Sequence, residues 1–289
     1  MKFSLSTNWC NRRIESGEEI ADKAGELGFD GLELGFHTTA AQVDGFKRRL
    51  DRMPVRSVHA FCPVPISAPQ GYPELYQLAS FDEEARKMAQ VMIRRNLAFA
   101  AEMGATALVL HAGRIPPPPF PVRFLPQKWR GRVENSCRVR RGAKMIDILK
   151  KELESLLPAL EASGVKLGLE NLPTADGFPN LAEVSSVCGD LVRPWLDTGH
   201  WYALNPQPST LNSQLSTLNS QPLGLHLNDS VGGDDHLVPG EGKIDFSLFA
   251  AIAREAEHLV FEPNPLVDEA NLRQGLNRLR ELWYNKRKL

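Results

Sequence analysis

The sequence contains few cysteines and no long apolar run. Its four cysteines lie far apart and form no Cys-x-x-Cys pair, which favours reduced thiols in a cytosol over a disulfide framework. No apolar stretch approaches the roughly 18 residues of a membrane-spanning helix. Polar residues interrupt the apolar ones from Met1 to Asn8, unlike in a secretory signal peptide. The sequence therefore predicts a cytoplasmic protein that does not enter a membrane.

Net charge is also nearly absent. The 34 Lys and Arg residues against 35 Asp and Glu residues leave a formal charge of −1, so the whole molecule has no field that would attract nucleic acid or a membrane. One stretch departs from this balance, since residues 123–151 contain ten Lys or Arg and only two Asp or Glu. This basic stretch is either a solvated loop and helix face or a lid that meets an anionic substrate.

The chain does contain a regular alternation of short apolar runs and helix-like stretches. The predicted strands are Phe3–Asn8, Gly31–His37, Val55–Phe61, Ala107–Gly113, Lys166–Asn171, Pro194–Asp197, Leu223–Asn228 and His258–Asn264. The predicted helices are Glu18–Leu27, Ala40–Met53, Glu83–Met103, Ile146–Ala162, Phe246–Glu257 and Glu269–Trp283. This order predicts a single α/β domain over residues 1–289, a (β/α)₈ TIM barrel with parallel strands. A doubly wound open sheet is the alternative, but no Gly-rich phosphate loop follows the first strand, and no nucleotide cofactor is expected.

Two segments break this alternation. Residues 206–222 contain the sequence Ser-Thr-Leu-Asn-Ser-Gln twice, at 209–214 and 216–221. Ser, Thr and Asn disfavour a helix interior, so we expect an irregular, low-complexity insertion where the barrel would have its sixth helix. The connection from Gly113 to about Arg141 includes four consecutive prolines and is expected to begin as a stiff extended segment.

Several polar residues face the barrel axis at the carboxyl ends of predicted strands. Alternate residues of a strand face opposite sides, so a polar residue flanked by outward-facing leucines must face inward. This parity selects five side chains: His59, His111, Glu170, His226 and Glu262. Active sites of such barrels lie at this end of the strands. Because buried carboxylates without a partner are costly, a cation is the simplest compensation.

Two local motifs add to this set. Asp197 ends a predicted strand three residues before His200, and Asp234-Asp235-His236 follows the seventh strand in a glycine-flanked loop. The candidate metal ligands are therefore His59, His111, Glu170, Asp197, His200, His226, Asp234, His236 and Glu262. Such a mixture of nitrogen and oxygen donors suits Zn²⁺ or Mn²⁺ better than Ca²⁺. Nine ligands exceed the needs of one ion, so either several ions bind or some of these residues contact the substrate.

Three other residues complete the interpretation of the strands. Glu33 and His37 share an inward parity on the second strand. Glu33 lies deeper and is predicted to be a hydrogen-bonded structural residue, whereas His37 reaches the mouth and is a candidate substrate contact. His258 begins the eighth strand at the opposite end of the barrel and is predicted to be structural.

The chain resembles the xylose isomerase-like barrel superfamily, which includes sugar isomerases, sugar epimerases and the endonuclease IV group. The resemblance runs from Gly28 to Pro263, and its most specific stretch reads His226-Leu-Asn-Asp229, followed by Asp234-Asp-His236-Leu-Val-Pro-Gly-Glu-Gly-Lys-Ile-Asp245. It implies a divalent-metal-dependent isomerase or epimerase acting on a sugar or sugar phosphate. A homo-oligomer is left open.

The resemblance also implies roles for individual residues. Glu170, Asp197, His226 and Glu262 would hold a Mn²⁺, Zn²⁺ or Mg²⁺ ion. Glu170 and Glu262 would be catalytic, transferring a proton through a metal-bound enediolate. His200 would contact a substrate oxygen, and His59, His111 and His37 are further candidate substrate contacts.

Two alternatives remain. The first is an endonuclease IV-like phosphodiesterase with three zinc ions acting on abasic DNA, in which His59, His111, His200, Asp234 and His236 become additional metal ligands. Here the chain has Ala112-Gly113 where those nucleases have Pro-Gly, and Leu-Pro follows Asn171 in place of a glycine-rich turn, so the isomerase class is favoured. The second is a barrel that binds a ligand without catalysis.

Overall fold

Eight parallel strands close into a barrel. The computed structural model describes residues 1–118, 122–205, 221–232 and 235–284. The barrel strands are β1 (Ser4–Ser6), β2 (Gly31–Leu34), β3 (Val55–His59), β4 (Ala107–Leu110), β6 (Lys166–Glu170), β8 (Val192–Asp197), β9 (Gly224–Leu227) and β10 (His258–Phe261). Around the barrel they follow their order in the chain, and β10 pairs with β1 to close it. Strands β5 (Gly113–Arg114) and β7 (Gly177–Phe178) form a separate antiparallel pair. The predicted (β/α)₈ barrel is confirmed.

Helices connect the strands and cover the barrel. They are α1 (Gly17–Leu27), α2 (Ala40–Lys47), α3 (Glu83–Glu102), α4 (Gln127–Ser163), α5 (Leu181–Val184), α6 (Thr198–Leu204), α7 (Ala250–Glu255) and α8 (Glu269–Tyr284). Short 3₁₀ turns lie at Thr7–Trp9, Val122–Phe124 and Phe246–Phe249. Among the helices of the described residues, none is long and apolar enough to cross a membrane.

Helix α4 begins earlier than the sequence predicted. The segment from Gln127 to Arg141 was expected to be part of a long connection, but it forms the first turns of a 37-residue helix. Its residues are mainly good helix formers such as Lys, Arg and Glu. The buried residues of this helix start only at Gly142, so the first turns lack the apolar periodicity on which the prediction relied. The expectation of a connection as far as Arg141 was therefore wrong.

The region of the sixth helix is described only in part. Helix α6 follows β8 directly and was not predicted. Its first turn is capped by Asp197, whose Oδ1 accepts a hydrogen bond of 2.7 Å from the His200 amide. Of the expected irregular insertion at 206–222, residues 206–220 lie outside the described residues.

The side chains of the strands divide into two cores, as their alternation predicts. Leu108 and Leu110 of β4 pack in the large core between the barrel and its helices. Val109, between them, belongs to a small cluster inside the barrel. That inner cluster contains Ala107, Val109, Trp195, Leu223 and Val260. The inner cluster forms the floor below the polar strand ends.

Trp195 is the largest side chain of this floor and has no exposed surface. Two neighbouring strands carry glycine where the indole lies. A Cβ atom on Gly168 would come within 2.7 Å of the indole, and one on Gly224 within 2.5 Å. The ring of Trp195 packs between His226, 5.2 Å away on the mouth side, and His258, 5.7 Å away on the opposite side. The two glycines are therefore required by the volume of the tryptophan.

We expect the substitution Gly168→Ala to destabilise the protein by about 1–3 kcal/mol, the usual range for overpacking a core. The added methyl group cannot be accommodated unless Trp195 or its strand shifts. Urea unfolding measures the change, with Gly189→Ala as the control because a Cβ at Gly189 meets open space. Equal stability of the two variants would contradict this account of the floor.

The buried His258 supports the opposite end of the barrel. Its Nε2 lies 3.3 Å from the Thr106 hydroxyl, and its ring stacks on Trp195. Burial lowers the pKa of His258 to about 4, and the positive charge of Arg56 acts in the same direction. The imidazole is therefore neutral in the folded protein at neutral pH.

This neutral histidine should make the protein sensitive to acid. The unfolded chain, with a histidine pKa near 6.5, binds a proton more readily than the folded one, so stability falls as the pH drops from about 6.5 towards 4. We expect His258 to account for about 2 kcal/mol of the loss between pH 7 and pH 5. The measurement is urea unfolding of the wild type and His258→Gln at both pH values. If the difference between the two proteins does not change with pH, the prediction is wrong.

Candidate active site

Four potential ligand residues meet where neighbouring strands end. Glu170 and Asp197 are the last residues of β6 and β8, His226 lies in β9, and Glu262 directly follows β10. These strands are consecutive in the barrel, so their ends are adjacent. The four side chains are buried, and each offers a ligand atom within 4.8 Å of the others. The structure therefore brings together the four residues that the sequence analysis proposed as the central metal ligands.

His226 lies in the middle of the three carboxylates. Its Nδ1 is 3.1 Å from Oε1 of Glu170 and 3.1 Å from Oε2 of Glu262. The distance from the same nitrogen to Oδ2 of Asp197 is 3.8 Å. One imidazole nitrogen thus faces all three acidic groups, which together have a formal charge of −3 when ionised.

Asparagine side chains orient these carboxylates. Asn228 donates a 2.8 Å hydrogen bond to Oδ2 of Asp197, and Asn8 donates a 3.3 Å hydrogen bond to Oε1 of Glu262. Neither asparagine was predicted from the sequence to belong to the site. Asn228 could have been found, because it follows His226 by two residues and so has the same parity. Asn8 ends the predicted strand Phe3–Asn8 with the parity opposite to Phe3 and Leu5, so it could have been found in the same way, although in the structure it lies in the 3₁₀ turn after β1.

His59 and His111 extend the site across Glu170. The Nε2 atoms of both histidines lie 3.1 Å from Oε2 of Glu170. Nδ1 of His111 lies 3.4 Å from Oε1 of Glu74, a residue that the sequence analysis did not select. Glu74 belongs to the segment between β3 and α3 and is held by Arg114 at 2.6 and 2.8 Å. No motif marks Glu74 in the sequence.

A second group of potential ligands lies beside the first. It comprises His200, Asp235 and His236, whose ligand atoms also lie within 4.8 Å of one another. The predicted candidate in this loop, Asp234, lies outside the described residues. Asp235 was not among the predicted ligands, because the alternation of side chains does not identify which of two adjacent acids in a loop faces the site. His236 has a φ of 60°, which is unusual for a residue other than glycine.

The hydrogen bonds of three histidines define which nitrogen carries a proton. Nδ1 of His59 lies 2.9 Å from the carbonyl oxygen of Ala60. Nδ1 of His200 lies 2.9 Å from the carbonyl oxygen of Asn171, and Nδ1 of His236 lies 2.8 Å from that of Glu262. A carbonyl can only accept, so Nδ1 is the donor in each ring. The Nε2 atoms then face carboxylates, namely Glu170 for His59 and Asp235 for His200 and His236. A lone pair facing a carboxylate requires a proton or a cation between them.

The shifted pKa values of Glu170, Glu262 and His200 reflect the same excess of negative charge. Burial alone would raise the pKa of Glu170, but His226 and His111 outweigh it and hold the pKa well below its usual range. The same competition, with His226 and His236 as the main cations, places the pKa of Glu262 at about 2. Burial would lower the pKa of His200, yet the carboxylates of Asp197 and Glu170 raise it to about 10. The donor set therefore attracts positive charge and fits a divalent cation.

His37 lies at the edge of the site. Its Nε2 is 2.6 Å from a guanidinium nitrogen of Arg12, and its amide donates a 3.3 Å hydrogen bond to Oδ1 of Asn8. Burial and the charge of Arg12 lower the pKa of His37 to about 4, so the ring is neutral and accepts from Arg12. Asn8 therefore connects the backbone of His37 with Glu262.

A cavity of about 330 Å³ is lined by chain neighbours of two site residues, but by none of the candidate ligands themselves. It lies between the segment that follows β6 and helix α6. Asn171 and Trp201, the neighbours of Glu170 and His200 in the chain, contribute to its wall, and Arg138 of α4 contributes a positive charge. The volume suits a small molecule.

Comparison with known sequences assigns the family. A family profile described as xylose isomerase-like TIM barrel matches residues 21–282 of the 289. The chain belongs to this family. The curated relative MJ1311 of Methanocaldococcus jannaschii, an uncharacterized protein, is 26% identical over 175 residues, which are 58% of this chain and 53% of that protein. The match thus spans about half the length of that relative.

Solved structures share the fold over the whole chain. A D-tagatose 3-epimerase-like protein superposes with a TM-score of 0.71 at 22% identity, covering 99% of both chains. The 3-keto-D-glucoside 4-epimerase YcjR from E. coli gives 0.69 at 20% identity, covering 97% of this chain and 99% of its own. The IOLI protein with a bound zinc atom gives 0.67 at 13% identity, with all of both chains covered. At these identities the likeness establishes the fold.

We expect metal-free protein to bind Mn²⁺ or Zn²⁺ at the four-residue site. Asp197→Asn and His226→Ala should each weaken binding on the order of tenfold or more, because the first removes a negative charge and one carboxylate oxygen and the second removes the ligand nitrogen. Isothermal titration calorimetry measures the dissociation constants. Glu257→Gln is the control, since Glu257 pairs with Lys166 and Arg193 at the opposite end of the barrel. Unchanged affinity in both site variants would contradict the assignment of these ligands.

Proposed function

We propose that the protein is a divalent-cation-dependent isomerase or epimerase of a sugar or sugar phosphate. The observation that carries the proposal is the meeting of Glu170 and Glu262 with Asp197 and His226 inside the barrel mouth. Two buried glutamates beside one cation site can move a proton to and from the carbon next to a carbonyl group. The family membership supports this proposal.

The residues fit the cation that the reaction requires. Glu170, Asp197, Glu262 and Nδ1 of His226 would hold Mn²⁺, Zn²⁺ or Mg²⁺. When bound, such an ion draws electron density from the carbonyl group of the substrate and makes the neighbouring C–H group more acidic. Asn8 and Asn228 keep the carboxylates of Glu262 and Asp197 in fixed orientations.

Glu170 and Glu262 are the proposed proton carriers. Their low pKa values keep both carboxylates ionised in the free protein, so either can accept a proton. One glutamate takes the proton from the carbon next to the carbonyl and later releases it to solvent. The other takes up a proton from solvent and delivers it to the opposite face of the same carbon in an epimerase, or to the former carbonyl carbon in an isomerase, so that the substrate gains as many protons as it loses.

The surrounding histidines would bind the hydroxyl groups of the substrate. His200 belongs to the second ligand group and lies beside Asp197, and His59 and His111 both contact Glu170. Neutral His37 is a further candidate contact at the rim. Sugars present several hydroxyl groups, so a site rich in donors and acceptors favours them over apolar ligands.

The test is proton exchange with solvent. In deuterated water with Mn²⁺, we expect a panel of ketoses, keto-glycosides and their phosphates to include a substrate that gains deuterium at the carbon next to the carbonyl, as seen by NMR. Glu170→Gln and Glu262→Gln should each reduce the exchange by at least about a hundredfold, because general acid–base catalysis contributes about that much.

Two controls make this result specific. Glu257→Gln carries the same chemical change far from the mouth and should retain full exchange, and circular dichroism should show that every variant is folded. Wild-type exchange that persists in both site variants would refute the roles of the two glutamates. An absence of exchange across the whole panel would count against the isomerase class.

A second candidate function rests on the second ligand group. His200, Asp235 and His236 adjoin the central site, and His59 and His111 contact Glu170, so the described residues offer enough ligands for more than one ion. Such a site suits phosphodiester hydrolysis at three zinc ions, with abasic DNA as the substrate. Zinc analysis decides between the two, since about three ions per chain together with nicking of abasic DNA would favour the hydrolase.

A further inference from the structure

Glu33 is a fourth carboxylate inside the barrel, below the proposed metal ligands. It lies in β2 and has no exposed surface. The Ser57 hydroxyl donates a 2.8 Å hydrogen bond to its Oε2. Nε2 of His226 lies 3.1 Å from its Oε1 and 3.3 Å from its Oε2. Glu33 is thus deep and hydrogen-bonded, as predicted from the sequence, but its main partner is His226, a proposed metal ligand.

The contact between Glu33 and His226 crosses the interior of the barrel. Strands β2 and β9 are not neighbours, because β1 and β10 lie between them. The backbone pairing of adjacent strands therefore does not need this contact. Below the ring, Trp195 packs against His226 at 5.2 Å, so the imidazole is held between the indole and the carboxylates.

The two nitrogens of His226 have different surroundings. An ionised Glu33 can only accept, so Nε2 is the donor and carries a proton. With a cation in the site, Nδ1 would offer it a lone pair from the side that faces Glu170, Glu262 and Asp197, at 3.1, 3.1 and 3.8 Å. This is the reverse of His59, His200 and His236, in which Nδ1 donates to a backbone carbonyl. Among these four histidines, His226 is the one that donates a hydrogen bond to a side-chain carboxylate.

We propose that Glu33 is a positioning residue that fixes the tautomer and orientation of His226, so that Nδ1 is ready to bind the catalytic cation. The inference rests on the proposed function, because it assigns His226 to that cation. Glu33 also increases the electron density of the imidazole through the shared proton, and this strengthens Nδ1 as a ligand. Ser57 acts through Glu33, since its hydroxyl holds Oε2 in place.

The test is Mn²⁺ binding to Glu33→Gln, measured by isothermal titration calorimetry on metal-stripped protein. Glutamine keeps the size of the side chain but removes the negative charge that holds the proton on Nε2. We expect the dissociation constant to rise about 10–100-fold, the usual effect of removing such a partner. Ser57→Ala, which removes only the bond to Oε2, should raise it by a smaller factor. Glu257→Gln should leave it unchanged.

Two further measurements separate positioning from a structural role. Urea unfolding of the metal-free variants reports any general loss of stability, and ¹⁵N NMR of the histidine rings reports which nitrogen of His226 is protonated in the zinc-loaded protein. We expect protonation at Nε2 in the wild type. A Glu33→Gln protein that is less stable but binds Mn²⁺ within twofold of the wild type would overturn the inference.

The inference and the proposed function fail in different ways. Wild-type protein that takes up no Mn²⁺ or Zn²⁺ would overturn both. Normal wild-type binding with unchanged affinity in Glu33→Gln would overturn only the role of Glu33. If Glu33→Gln does not fold, Ser57→Ala and Glu33→Asp carry the test, and unchanged affinity in both would overturn the inference.

Discussion

The structure depends on the neutralisation of acidic side chains in the interior of a small barrel. Glu33, Glu170, Asp197 and Glu262 are all buried, and each would be strongly unfavourable there as an isolated charge. Imidazole rings lie between the carboxylates, so protons on these rings or a bound cation can neutralise the negative charge. A barrel built from parallel strands makes this arrangement possible, because residues from separate strands reach the same level at the same end.

Much of the site follows from the alternation of side chains along strands. Glu170, His226 and Glu262 could be placed inside the barrel from the sequence, because flanking leucines and phenylalanines fix the direction in which each faces. Asp197 was identified by its position at a strand end. The succession of strands and helices predicted the barrel, and the barrel in turn placed the mouth at the carboxyl ends of its strands.

Other parts could not be obtained in this way. Asp235 and Glu74 lie in connections without a repeating geometry, so nothing in the sequence indicates that they approach His200 and His111. The early start of helix α4 was missed because its first turns pack against little and show no apolar face. In each case the missing information is tertiary: which loop meets which strand end cannot be read from local spacing.

The histidines show how much of the chemistry is set by residues that do not bind the substrate. Three rings are oriented by backbone carbonyls and one by a carboxylate, so the direction of each lone pair is decided outside the mouth. A solved neighbour with the same fold but few identical residues can therefore share the position of a ligand while differing in what holds it.

The indole of Trp195 also lies between two sets of buried polar groups along the barrel axis. His258 and Thr106 lie on one side of the ring, and His226 with the polar strand ends lies on the other. A substitution beside His258 that leaves the indole in place therefore acts on stability alone, whereas one that shifts the indole also moves the imidazole of His226.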